Sequence, residues 1–199
     1  MDSMLIMRRG MRSMAKAYKL FCVCKRKQGK LFPLFVDTSN EVPLNEWLEA
    51  KEGEKNNNGK VKSKLGPLAF RPGWHLSDIP LAIHIGVKGK SGKIEYMNSQ
   101  YVWCECEYDD SINYQNIANE KGTKKGKLIA RDAFLDYIPI NGFYRYKTSP
   151  SMLGTWIISG KIKVLRVLND EEVKNILLEK GYSPMPREGG PIDLSSYGF

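Results

Sequence analysis

The eight residues YVWCECEY, Tyr101 to Tyr108, alternate without a break. Successive side chains of a strand point to opposite faces. Val102, Cys104, Cys106 and Tyr108 therefore form one face, and Tyr101, Trp103, Glu105 and Glu107 the other. A period of two excludes an amphipathic helix and commits the chain to a sheet. The same period runs through AYKLFCVCK, where Tyr18, Leu20, Cys22 and Cys24 share one face and Lys19, Phe21, Val23 and Lys25 the other. KRKQGK then reads as a turn and LFPLFV as a returning strand with an irregularity at Pro33. NGFYRYKT reads as a strand after a turn at Asn141-Gly142, and TWIISGKIKVLRVL as two strands of a hairpin folded at Ser159-Gly160.

Helix signals are sparser. Asp170 to Lys180 has a full set: Asn169 as cap, Glu172 at the capping-box position, Leu168 and Val173 as a staple, and Gly181 as stop. VPLNEWLEA reads as a short helix opened by Pro43, and Asn113 to Lys121 as another. Together these define a strand-rich α+β class, a single domain over residues 17–182. Residues 1–16 read as a basic flexible leader and 183–199 as an irregular tail.

At 42% apolar and 27% charged residues, the 199-residue chain belongs with globular proteins rather than disordered ones. No apolar run approaches the roughly 18 residues of a membrane span, so no membrane partner is expected. The formal net charge of +9 is concentrated: residues 1–30 hold nine basic residues against one acid, Asp2. Such an arm can neutralise phosphates. Arg8, Arg9, Arg12 and Lys16, with Lys62 and Lys64 from a lysine-rich loop, are the candidate nucleic-acid contacts.

Cys22-x-Cys24 and Cys104-x-Cys106 suggest zinc by number but not by spacing. A metal knuckle needs a turn between its ligands, whereas these pairs lie inside strands. Buried free thiols in a reducing cytoplasm are expected, and no metal. Glu105 and Glu107 share a face and read as a lysine-paired surface. No phosphate-loop pattern, nucleophile elbow or H-E-x-x-H motif is present.

The chain's two histidines both fall in FRPGWHLSDIPLAIHIG, Phe70 to Gly86. Arg71-Pro72-Gly73 reads as a turn that delivers Trp74 and His75 to the start of the next element. Ser77-Asp78-Ile79-Pro80 reads as a helix opening, which would set His75 beside a helix N-terminus suited to an anion. Arg71 adds a planar cation that matches phosphate. Tyr144, Arg145, Tyr146, Lys147 and Thr148 form a second polar cluster, whose interleaved aromatic and basic residues suit a ligand ring. The competing reading is a buried tryptophan, a backbone-bonded histidine and a tyrosine strand facing solvent.

From KLFPLFVD through KVKSKLGPLAFRPGWHLSDIPLAIHIG and YRYKTSP to TWIISGKIKVLRVL, the chain resembles an uncharacterised family from bacteriophages, crAss-like phages among them, and gut bacteria. That resemblance implies the cytoplasm of a bacterial host or a virion, and a host protein as a further partner. A looser likeness is to the ADP-ribosyltransferase fold, where a glycine, a polar residue and a hydroxyl on a strand precede a packed alanine. Gly73, His75, Ser77 and Ala82 are similar to that pattern, and Gly160 and Val164 to its last hairpin. This likeness implies NAD as cofactor. Trp156 stands where the family places its glutamate, and the first strand lacks the family's His or Arg, which counts against NAD-dependent transfer.

The expected function is therefore a phage or mobile-element accessory protein holding a phosphate-bearing ligand, of uncertain catalytic activity. His75 is the candidate catalytic group, and Arg71, Gly73, Trp74, Ser77, Asp78, His84, Tyr144, Tyr146, Lys147 and Trp156 the candidate ligand contacts. The alternatives are a non-catalytic nucleic-acid-binding or host-modulating protein, or a virion component.

Overall fold

The computed structural model describes residues 14–64, 66–129 and 132–199. Arg8, Arg9 and Arg12 lie outside the described residues. The strands are β1 (Met14–Val23), β2 (Leu31–Phe32), β3 (Trp47–Glu49), β4 (Trp74–Ser77), β5 (Val87–Lys88), β6 (Ile94–Tyr96), β7 (Tyr101–Asp109), β8 (Ile112–Asn113), β9 (Thr123–Lys124), β10 (Lys127–Leu128), β11 (Gly142–Tyr146), β12 (Trp156–Ser159) and β13 (Lys161–Val167). Two helices, α1 (Gln115–Gly122) and α2 (Asp170–Glu179), complete a strand-rich α+β domain.

The main sheet has the order β3-β13-β7-β1-β4-β12-β11-β8, with β2 attached to β1. β7 pairs with β1 over nine residues, so the two longest alternating segments form its centre. Their in-phase register places Ala17, Phe21, Val102, Cys104 and Cys106 in one core and Leu20 and Trp103 in the other. α2 covers the second core with Val173 and Leu177. Its N-terminus carries the expected capping box, Asn169 with Glu172.

β12 and β13 do not form the expected hairpin. β12 pairs with β11 and β4, and β13 with β7 and β3. Only Gly160 separates them, yet β4, β1 and β7 lie between them in the sheet order. In a flat sheet four strand spacings would set them roughly 19 Å apart. A one-residue link spans about 7 Å, so the sheet curls until its two halves meet at Gly160. A Cβ at this corner would stand 2.0 Å from the Pro139 carbonyl oxygen, so only glycine fits.

Two expected helices are absent. VPLNEWLEA forms edge strand β3, because Asn45 adopts φ 61° and β13 offers a free edge. Ser77-Asp78-Ile79-Pro80 opens no helix either. Ser77 is the last residue of β4, and the Asp78 N–H donates to the Thr155 carbonyl at 3.2 Å. The pull of β12 on this segment outweighs its local capping signals. LFPLFV pairs only at Leu31 and Phe32, since Pro33 has no N–H to continue the ladder.

Residues 183–199 lie along the domain. Arg187 forks onto Asp170 at 2.6 and 2.9 Å and also donates to the Asn98 carbonyl at 3.0 Å. Further on, the Gly29 N–H donates to the Tyr197 carbonyl at 2.7 Å.

Candidate functional site

Strand alternation divides the quoted stretch between two sides of the sheet. Trp74 and Leu76 belong to one core, and the Trp74 Nε1–H donates to the Leu48 carbonyl at 2.9 Å. His75 faces the opposite side, where its ring meets Tyr146 edge-on at 6.2 Å. Trp74 and His75 therefore do not line one pocket. Gly73 has φ 122°, and a Cβ there would come within 2.4 Å of Ile158 Cγ2.

Much of the remaining candidate set converges on the His75 side. Register pairs His75 with Ile158, Ser77 with Trp156, Tyr144 with Ile158, and Tyr146 with Trp156. Tyr144 and Ser77 are fully buried, so the expectation of a solvent-facing tyrosine strand is overturned by the inward turn of β11. Arg71 stacks its guanidinium 3.7 Å from the Tyr146 ring centroid and donates to the Ala133 carbonyl at 3.2 Å. Burial pushes the Tyr144 phenol up to about 12, against the opposing pull of Arg71.

His75 does internal work. Its Nε2 lies 3.0 Å from the Arg71 carbonyl, an acceptor only, so Nε2 carries the proton. Nδ1 then accepts, and it faces the Tyr146 hydroxyl at 3.5 Å. Burial lowers the His75 pKa to about 4, with Lys19 and Arg71 adding to the same direction against the Arg71 carbonyl bond. At neutral pH the ring is an uncharged clamp that ties the Arg71 turn to β4. No helix N-terminus adjoins it, because the helix expected at Ser77 does not form.

The space available to a ligand lies at the margin of this cluster. Ala82, Ile83 and His84 face the loop Thr148–Leu153 across an open cleft of about 130 Å³. His84 packs its ring edge-on to Trp156 at 5.6 Å, and partial burial lowers its pKa. Thr148, Ser149 and Ser151 supply hydroxyls, and the two serine oxygens lie 3.1 Å apart. Lys147 stands behind this loop with Nζ donating to the Met152 carbonyl at 3.3 Å. Asp78 does not enter the cleft lining; its Oδ1 accepts the Thr155 N–H at 2.7 Å.

Other expected features sort out simply. Glu105 pairs with Lys16 at 2.7 Å and Glu107 with Lys163 at 2.8 Å, the lysine-paired face expected of them. Lys16 is thereby ion-paired, as is Lys62, with Glu54 at 2.5 Å. Lys64 lies near Cys22, whose thiol burial raises in pKa while Lys64 lowers it. Cys104 and Cys106 are buried in one core, and Cys22 projects from the opposite face of β1. The two cysteine pairs cannot converge on one ion. Among the described residues no group of three or more His, Cys, Asp or Glu is placed to hold a metal. Nor is any helix there long and apolar enough to cross a membrane.

Lys19 was not among the expected site residues. It sits on the Phe21 and Cys104 side of β1, its Nζ donating to the His75 carbonyl at 2.9 Å and lying 5.3 Å from the Trp74 ring centroid. Burial lowers its pKa to about 8. The signal was a lone cation between Ala17 and Phe21 on an otherwise apolar strand face. Of the cleft hydroxyls, Thr148 belongs to the polar cluster read from sequence, whereas Ser149 and Ser151 were missed because only folding brings them against residues 82–84.

Comparison with family models, with curated proteins and with solved structures returns no match for this chain.

Proposed function

We propose that this protein binds a small phosphate-bearing ligand in the cleft between residues 82–84 and 148–153. The observation that carries the reading is the convergence there of three hydroxyls and His84, whose ring packs on Trp156, with Lys147 bonded to the Met152 carbonyl of the same loop. Hydroxyl donors with a nearby cation are a chemistry suited to a phosphoryl group. The size fits one part of a ligand rather than all of it. About 130 Å³ holds a phosphate, whereas pockets that enclose larger ligands run to roughly 300 Å³ and more. A dinucleotide such as NAD would lie mostly outside the cleft, over exposed Ile83 and Leu153. His75 and Arg71 support the site from below by fixing β4 and Tyr146. A role as a phage accessory protein accords with the sequence resemblance, and transferase chemistry would need an acid that Trp156 does not supply.

Titration with ADP, followed by tryptophan fluorescence, tests this. Trp156 is the expected reporter, since it touches His84. A saturable change that His84→Ala weakens at least tenfold is the predicted result; a flat response in the wild-type protein refutes the reading.

A further inference from the structure

We propose that the turn Lys25-Arg26-Lys27, braced by the C-terminal tail, is a docking surface for the phosphodiester backbone of nucleic acid. The proposal stands apart from the cleft. The ten-residue β1 runs from Met14 to Val23, and the turn leaves from its far end, roughly 30 Å from Met14 at about 3.3 Å per residue.

The turn is held in a fixed shape. Gln28 Nε2 donates to the Lys25 carbonyl at 2.8 Å and to the Ser196 carbonyl at 3.0 Å, and the Gly29 N–H to the Tyr197 carbonyl. The Lys25 ammonium lies 5.6 Å from the Tyr197 ring centroid and that of Lys27 4.7 Å from Phe32. Lys25, Arg26 and Lys27 are exposed, and none has a carboxylate within ion-pair distance among the described residues. The acids facing the turn are Glu41, which Lys30 engages at 2.9 Å, and Asp193, whose carboxylate bonds Ser195. Lys64, near Cys22 at the same end of β1, adds a further cation. The excess of fixed positive charge matches a polyanion.

The rings beneath the lysines decide the mode of contact. Tyr197 and Phe32 are 7% and 6% exposed, so neither offers a face on which a base could stack. The contact is therefore to phosphates, independent of sequence and sensitive to salt.

Fluorescence anisotropy of the full chain with a labelled random-sequence 20-base-pair duplex, from 50 to 200 mM salt, tests the surface. K25Q/R26Q/K27Q keeps long polar stems over the rings while removing three charges. This variant should bind at least tenfold more weakly at low salt, with the slope of log affinity against log salt reduced by about 2 to 3. R8Q/R9Q/R12Q should retain the turn's share of binding. The proposal is overturned if the turn variant binds with unchanged affinity and slope, if the wild type does not bind at 50 mM salt, or if polyglutamate competes as well as unlabelled duplex.

Discussion

His75 and Trp74 show how much one residue of strand register decides. They are adjacent in sequence, yet β4 sends one to each core, so a pocket containing both cannot exist. The buried neutral imidazole has a measurable consequence. Its folded pKa of about 4 lies below the ordinary 6.5, so the unfolded chain takes up the proton first as pH falls. The stability is full above about 6.5 and is lost toward 4, by at most about 3 kcal/mol. Denaturant melts of wild type and His75→Gln across this range should show that slope in the first and a flatter curve in the second. Lys19 should titrate near 8 in lysine side-chain NMR, well below the ordinary lysine value of 10.5. A Lys19 midpoint near 10.5 would contradict its enclosure by Trp74, Phe21 and the His75 carbonyl.

Elements were legible where local pattern and tertiary demand agree. β1 and β7 alternate because one face is largely buried while the other is only part-buried and carries Lys16, Glu105 and Glu107, and α2 carries its own caps, so each could be read from residues alone. Segments next to unpaired strand edges could not. The Pro43 and Ser77 helix signals are real local preferences, but β13 and β12 recruit those backbones into the sheet. The Ser159-Gly160 pair reads as a hairpin because sequence shows a glycine and not the Pro139 carbonyl against it. Gly160→Ala should therefore destabilise by about 3 kcal/mol through overpacking at the corner, measured by urea denaturation. The tail reads as irregular because its hold comes from separate anchors, Arg187 on Asp170 and the buried Tyr197 among them, and not from a periodic element. Burial raises the Asp170 carboxyl's pKa, but Arg187 and the Ile192 N–H outweigh this and the net direction is down. Arg187→Ala should cost about 3 kcal/mol. It should also speed hydrogen exchange at Met97, Glu188 and Ile192, whose N–H groups donate to the Pro186 carbonyl, the Met97 carbonyl and Asp170, while β1 and β7 stay protected.

For the whole molecule, the ladders of β12 are what join distant segments. They set β4, β12 and β11 side by side, so that His75, Ser77, Tyr144, Tyr146 and Trp156 share one face. That gathering was partly legible, since most of those residues stood out as polar or aromatic in a strand context. The cleft beside them was not, because its hydroxyls come from the loop after β11 and its histidine from the turns after β4. Amide NMR shift mapping during titration with ADP tests the central claim most directly. Binding in the cleft predicts saturable shifts concentrated at residues 82–84 and 148–153, with the Trp156 indole following and the Trp74 indole, on the other core, unmoved. Shifts centred instead on Trp74 and Phe21, or none at all at millimolar ADP, would contradict it.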